Sequence, residues 1–335
     1  MTSENSFPLI TLQPIADASH VWTALRLRGE HPLDTQTLVR ILNGYGLAEI
    51  LSELPCVASI ALEGFDPAPL ANVAADRLQL AITATAAADP ALEADRTALS
   101  AAGYTLLLPD ALLHALPATE APVPQKKEAP GRALLLKLMT LVTTDADGDE
   151  IEAVIKRDPH LSYQLLKLVN SVAFAPGKKI TSFGQAIAML GRRQLQRWLQ
   201  LLLYARQSDS QHASPLLPRA AQRAGLMEAL SKRRQFSREM QDHAFMVGMF
   251  SLLDQLFGIP VAEVIKPLNL PDPVVQGLVL GDGPLGVLLV AVVANDGPPT
   301  PALAEAVRCA AIGLEDWAAA QVEAMRWAVQ VSKEA

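Results

Sequence analysis

The densest apolar patterning in this chain runs from Ile151 to Arg206, and it is helical. Asp158 followed by Pro159 predicts a helix start, because the carboxylate accepts from free N–H groups and Pro fits the first turn. Leu161, Leu165, Leu168, Val169 and Val172 then share one face of a 3.6-residue repeat. Ala175-Pro176-Gly177 breaks that helix, and Lys178 and Lys179 mark a solvated loop. Thr181 or Ser182 caps the next helix, which Gly191 ends. Leu195, Trp198, Leu199, Leu202 and Leu203 line a further helix, with Trp198 expected as a buried anchor. Later in the chain Phe245, Met249, Leu252 and Leu256 form another packing stripe at helical spacing.

The first hundred residues have a different rhythm. Leu9 to Ala16 and Val21 to Leu27 read as strands around the turn composition Asp17-Ala18-Ser19, which predicts a hairpin. Asp34 or Thr35 caps a helix through Glu53, with Leu38, Ile41, Leu42 and Leu47 inward. Val57 to Leu62, Leu78 to Thr85 and Tyr104 to Leu108 are three more strands, and a helix between Asp89-Pro90 and Ala102 is ended by Gly103. Strands alternating with helices predict an α/β layer. Leu116 to Pro130 is a Pro-rich stretch of small and charged residues, read as a semi-rigid linker. Gly131 to Val142 is again helical, followed by the acidic turn Asp145-Ala146-Asp147-Gly148-Asp149. That turn is not a calcium loop, since Glu150 and Lys156 stand where the EF-hand needs glycine and glutamate.

Composition narrows the function. The net charge of −7 argues against a general nucleic-acid surface. Its distribution is uneven: residues 1–120 hold 5 basic and 14 acidic side chains, a balance of −9, which leaves +2 for the rest. Apolar runs stop short of the roughly 18–20 residues a membrane span needs, and Met1 to Pro8 is no apolar leader, so a cytoplasmic protein is expected. Cys56 and Cys309 form no metal-type pair and read as buried apolar residues.

Several motifs carry a family resemblance. Asp158-Pro159, Leu161-Ser162, Leu165-Leu166-Lys167 and Asn170-Ser171 come first, then Ile180, Ser182, Ala186-Ile187 and Leu190-Gly191, then Leu195 and Trp198-Leu199. In that order they resemble the HDOD domain, an all-helical bacterial signalling domain related to HD phosphohydrolases. His243 to Asp254 and Gly313 to Ala328 look like the subgroup in which HDOD follows an EAL domain. Gln13-Pro14-Ile15 and Leu25-Arg26-Leu27-Arg28 resemble the start of an EAL domain, the barrel that hydrolyses cyclic di-GMP. Arg28 keeps that family's arginine, whereas Ala24, Ala81 and Pro109 stand where the resemblance implies acidic metal ligands. The likeness ends near residue 116.

The expected architecture is therefore an α+β two-domain chain. Residues 1–116 would be a shortened, degenerate EAL-like α/β module forming a partial barrel, 117–130 the linker and 131–335 an all-α HDOD domain. An open sheet of this kind leaves an edge to be covered by the helical domain or by a second chain. Ser251-Leu252 replaces the His-Asp pair that an HD hydrolase would use, and the histidines are scattered as surface or capping residues. No catalytic, metal or cofactor residues are expected, and no phosphate-cradling glycine loop is present. The expected protein is non-enzymatic and acts through protein contacts, with self-association through the sheet edge and no nucleic-acid or membrane partner. The alternatives are a cyclic di-GMP sensor and a residual phosphodiesterase. Candidate binding residues are Arg28, the Asn170-Ser171 pair, also readable as a helix C-cap, and Arg192, Arg193 and Arg197, also readable as a solvated basic face.

Overall fold

The computed structural model describes residues 7–17, 21–108, 130–156, 183–205, 216–268 and 270–334. The helix expected from Asp158, the Asn170-Ser171 pair and the linker at 117–129 lie outside the described residues.

The hairpin forms as the alternation predicts. Strand β1 (Ile10–Ala16) pairs antiparallel with β2 (Trp22–Gly29), and Asp17 closes the turn by bonding Val21 through both backbone and carboxylate. Strands β3 (Cys56–Ser59), β4 (Leu78–Ala81) and β5 (Leu106–Leu107) then add in parallel, giving a five-stranded sheet in the order β1-β2-β3-β4-β5. The order is linear and the sheet is open, as expected; it is a small mixed sheet, and the expected EAL-like partial barrel is not supported. Closure would require β5 to bond back to β1. The outer edge of β1 is instead bonded by helical side chains from the far end of the chain.

The helix expected from Asp34 to Glu53 is interrupted. Asp34 does cap α1 (Thr35–Val39), accepting from the Thr37 N–H at 2.8 Å. A π-type turn at Arg40–Gly44 and a left-handed Gly46 then precede α2 (Leu47–Leu51). Leu38, Ile41, Leu42 and Leu47 are nonetheless all buried against the sheet. The short helices α3 (Ala84–Ala88) and α4 (Glu93–Ala101) follow, with Thr83 and Asp89 accepting from free N–H groups at the starts of α3 and the Pro90–Leu92 turn.

The remainder is helical: α5 (Pro130–Thr143), α6 (Gly148–Ile155), α7 (Phe183–Ala205), α8 (Leu216–Arg233) and α9 (Arg238–Phe250). They are followed by the short α10 (Leu253–Phe257), α11 (Val261–Ile265) and α12 (Asp272–Val275), then α13 (Gly283–Ala294), α14 (Pro301–Cys309) and α15 (Leu314–Glu334). Gly191 breaks α7 as expected, with φ 74° and ψ 154°. Helices α8 and α9 approach closely at Gly248, where a Cβ would lie 2.6 Å from the Ala224 Cα. Phe245, Met249, Leu252 and Leu256 are buried, as their spacing predicts.

Three burial expectations need correction. Trp198 is only partly buried at the rim of the bundle, because Leu195, Leu199 and Leu203 point inward and position 198 lies off that stripe. The fully buried tryptophan is Trp317. Cys309 is exposed at the end of α14, whereas Cys56 is buried in β3 and its thiol is pushed up to about 12 by desolvation. His243 is buried within α9, and burial holds its imidazole below the ordinary value.

Helix α15 has two apolar faces, and each belongs to a different core. Trp317, Ala320 and Ala324 pack into the helical bundle, while Ala318, Val322, Met325 and Val329 pack against the sheet with Leu12, Leu25 and Leu27. Between the stripes, the Gln321 amide accepts from the Leu12 N–H at 2.8 Å and donates to the Ile10 carbonyl at 3.0 Å. The Trp317 indole N–H donates to the same carbonyl at 3.0 Å, and Gln222 of α8 donates to the Leu12 carbonyl at 3.3 Å. The edge that the sequence leaves open is thus covered from within the chain at β1.

Gln321→Ala should therefore destabilise the whole chain, because it leaves the buried Leu12 N–H without a partner. Each such loss costs about 1–3 kcal/mol. Urea unfolding should show a lower midpoint, and an unchanged midpoint would mean that the amide contributes nothing to the join.

Candidate functional site

The arginines singled out in the sequence do not form one solvated basic face. Arg193 and Arg197 are one turn apart on α7 and both point at α8 and α9, where acidic residues meet them. The Arg193 Nε donates to Asp242 at 2.6 Å, and the Arg197 guanidinium bonds Glu228 at 2.8 Å and reaches Asp242 at 3.4 Å. The Arg197 guanidinium also lies 4.3 Å from the centre of the Phe245 ring, and that ring meets Trp327 of α15 edge-on. Arg192 faces away and pairs with Asp145 at the surface, at 2.8 Å.

The charges continue toward α15. Lys232 stands 3.5 Å from Glu228 and 3.4 Å from Glu323, and Arg233 bonds Glu323 at 3.0 Å. The basic side chains from Lys232 to Arg234 are thus all engaged, with Arg234 donating to the Ala310 carbonyl. Burial alone would raise the Glu228 carboxyl, but hydrogen bonding and charge from Arg197 and Lys232 outweigh it and hold the group below the ordinary carboxylate value.

Arg28 belongs to a second cluster, where the sheet meets the bundle. On the sheet face away from α1 and α2, its guanidinium donates to Gln13 at 2.6 Å, and Gln13 in turn donates to the carbonyls of Asn295 and Gly297. Between those two residues Asp296 binds Arg219 and the nearly buried Arg223, and Arg223 donates to the Ser251 hydroxyl at 3.0 Å. Ser251 is thus an acceptor in an interface network. Desolvation, with some repulsion from Arg26, lowers the Arg28 guanidinium. On the same sheet face Ala24 and Ala81 join Ile15, Val57 and Leu107 in a small apolar cluster.

The structure thus unites Arg193 with Arg197, separates Arg192 from them, and places Arg28 in the other cluster. Sequence reasoning missed Asp242, Glu228, Arg223 and Asp296. The four-residue spacing of Glu228 and Lys232 was a readable signal. The pairing of Arg193 with Asp242, across 49 positions, had none. Among the described residues no three His, Cys, Asp or Glu side chains are grouped so as to hold a metal ion.

The model of the HDOD domain matches residues 132–262, which span α5 to the start of α11. The chain contains an HDOD domain. The ladder from Arg193 to Lys232 lies within it, whereas α13 and α15 lie beyond the matched residues. A Vibrio cholerae protein named cyclic di-GMP phosphodiesterase CdgJ is 28% identical over 214 residues, 63% of this chain and 49% of that protein. The uncharacterized protein YuxH of Bacillus subtilis is 37% identical over 126 residues, 37% of this chain and 30% of that protein. The matched part of the chain thus spans half or less of these relatives' lengths. No solved structure matches the chain at a significant level. The expectation that the protein is no enzyme is corrected here, because the Vibrio cholerae protein to which the chain is similar is named a phosphodiesterase.

The lowered carboxyl of Glu228 has a pH signature. Its folded value is depressed, so its contribution is present above the unfolded value of about 4.3 and is lost as pH falls further. Acid unfolding followed by circular dichroism should show Glu228→Gln less stable than the parent near neutrality, with the gap closing below about pH 4. A gap that stays constant down to acid pH would show that the Arg197 pair is not the cause.

Proposed function

We propose that this chain is a regulatory signalling protein that acts in cyclic di-GMP circuits through protein contacts of its HDOD domain and N-terminal sheet. The observation that carries this reading is α15, which places the helical core and the sheet on two faces of one helix, so that an event at either is felt by the other. In this reading residues 1–116 are a shortened module of EAL origin, 117–130 a linker and 131–335 the helical unit. Support for the EAL origin comes from Ala24, Ala81 and Arg28, which share one sheet face although they are far apart in sequence. Contacts with protein partners fall to Arg192, whose surface pair with Asp145 is open to exchange for a partner's carboxylate, whereas Arg193 and Arg197 are committed to Asp242 and Glu228 within the bundle. Arg28 is the proposed contact to a nucleotide phosphate.

The name of the Vibrio cholerae relative favours a second reading, in which cyclic di-GMP is turned over. The two separate in one experiment on the full chain. Calorimetry with cyclic di-GMP should give saturable heat that Arg28→Ala abolishes, and chromatography of the same mixture with Mg²⁺ or Mn²⁺ reports linear product. Binding without product supports sensing, and product formation supports turnover. Absence of both heat and product overturns the assignment to cyclic di-GMP.

A further inference from the structure

Helix α8 carries Arg219 and Arg223 four positions apart, a like-charge spacing that disfavours a helix unless an anion meets both. That anion is the Asp296 carboxylate, and both guanidiniums bond the same oxygen of it, Arg219 at 2.6 Å. Arg28 approaches from the sheet: Gln13 ties its guanidinium to the carbonyls of Asn295 and Gly297, on either side of Asp296. Among the described residues Asp296 is the one carboxylate that any of these three arginines meets. Three positive charges thus stand against one negative, and Arg223 is buried.

Hydrogen bonding is also incomplete there. The Nε atoms of Arg223 and Arg28 are buried donors without an acceptor, and the Asn295 amide oxygen is a buried acceptor without a donor. Buried polar atoms left in this state cost stability. A carboxylate cannot supply what is missing, because it only accepts and its charge is single. Hydrogen phosphate carries nearly two negative charges at neutral pH, several acceptor oxygens and an O–H that donates. Guanidiniums bind such a group through paired N–H donors. The Asp296 side chain is 22% exposed, so the position it holds is reached from solvent.

We propose that the junction of sheet and bundle is a phosphate site whose internal occupant is Asp296: a phosphate dianion, free or at the end of a monoester, displaces the carboxylate and bonds Arg219 and Arg223 in its place. The surplus of positive charge drives the exchange. The carboxylate turns outward on its exposed turn. This site stands apart from the cyclic di-GMP reading, which concerns a diester at Arg28, so either can fail while the other holds.

Thermal unfolding of the full chain tests the site, with sodium chloride replaced stepwise by sodium phosphate at constant ionic strength. The parent's midpoint should rise saturably. Asp296→Asn should melt below the parent without phosphate, yet bind phosphate about tenfold more tightly, since the competing charge is gone. Saturating phosphate should return this variant to the parent's midpoint. A carboxylate with a structural role alone gives the first effect without the other two. Arg219→Gln, altered at a partly exposed side chain, should weaken binding about tenfold. Calorimetry with phosphate and with guanosine monophosphate names the source: tighter binding of the nucleotide assigns the site to an ester, and equal or weaker binding to the free ion. A parent midpoint that phosphate leaves unmoved overturns the proposal, as does an Asp296→Asn chain that stays destabilised at saturating phosphate.

Discussion

The edge of strand β1 sets the constraint on which the rest of this structure depends. An edge strand carries unpaired N–H and C=O groups that must be bonded if they are buried, and burial here is complete at Ile10 and Leu12. No sixth strand meets that edge among the described residues; instead Trp317, Gln321 and Gln222 meet its backbone groups one by one. Side chains bond at fixed reach, so the helices that carry them cannot slide along the sheet without breaking several bonds at once. The join between sheet and bundle is accordingly specific in register as well as apolar.

Helix α15 distributes that constraint through the molecule. Its two stripes repeat at three- and four-residue intervals and bury against two separate cores, with Gln321 between them. Polar ties surround the apolar contact: Arg326 donates to the Gly46 carbonyl at 3.0 Å, and Arg40 meets Glu315 at 2.6 Å. On the bundle side, Glu323 receives Lys232 and Arg233, and Glu228 passes the ladder to Arg197 on α7. Exposed pairs of this kind each contribute little. The partly buried Arg197, held by two carboxylates and an aromatic face, fixes α7 against α8 and α9 more firmly.

The HDOD match ends at residue 262, but the structural unit does not. The bundle core continues through α13, α14 and α15, and the last of these also completes the core of the sheet. The sheet and the HDOD domain are therefore joined through the packed side chains of α15.

Much of this was legible in the sequence because it is local. The hairpin around Asp17, the Asp34 cap, the Gly191 break and the stripe from Phe245 to Leu256 follow from backbone preference and from periods of 2.0 and 3.6 residues. The order of motifs also carried the HDOD domain, since it depends only on residue type and spacing. What the tertiary structure decided is pairing at a distance. Arginines that read as a solvated face became partners of Asp242 and Glu228, a tryptophan expected in the core moved to its rim, and the expected open sheet proved to be a small mixed one without support for an EAL-like barrel. A helix shows in its own residues that two of its faces are apolar; which core each face enters depends on where the chain returns, and α15 returns from more than 300 positions away to close β1.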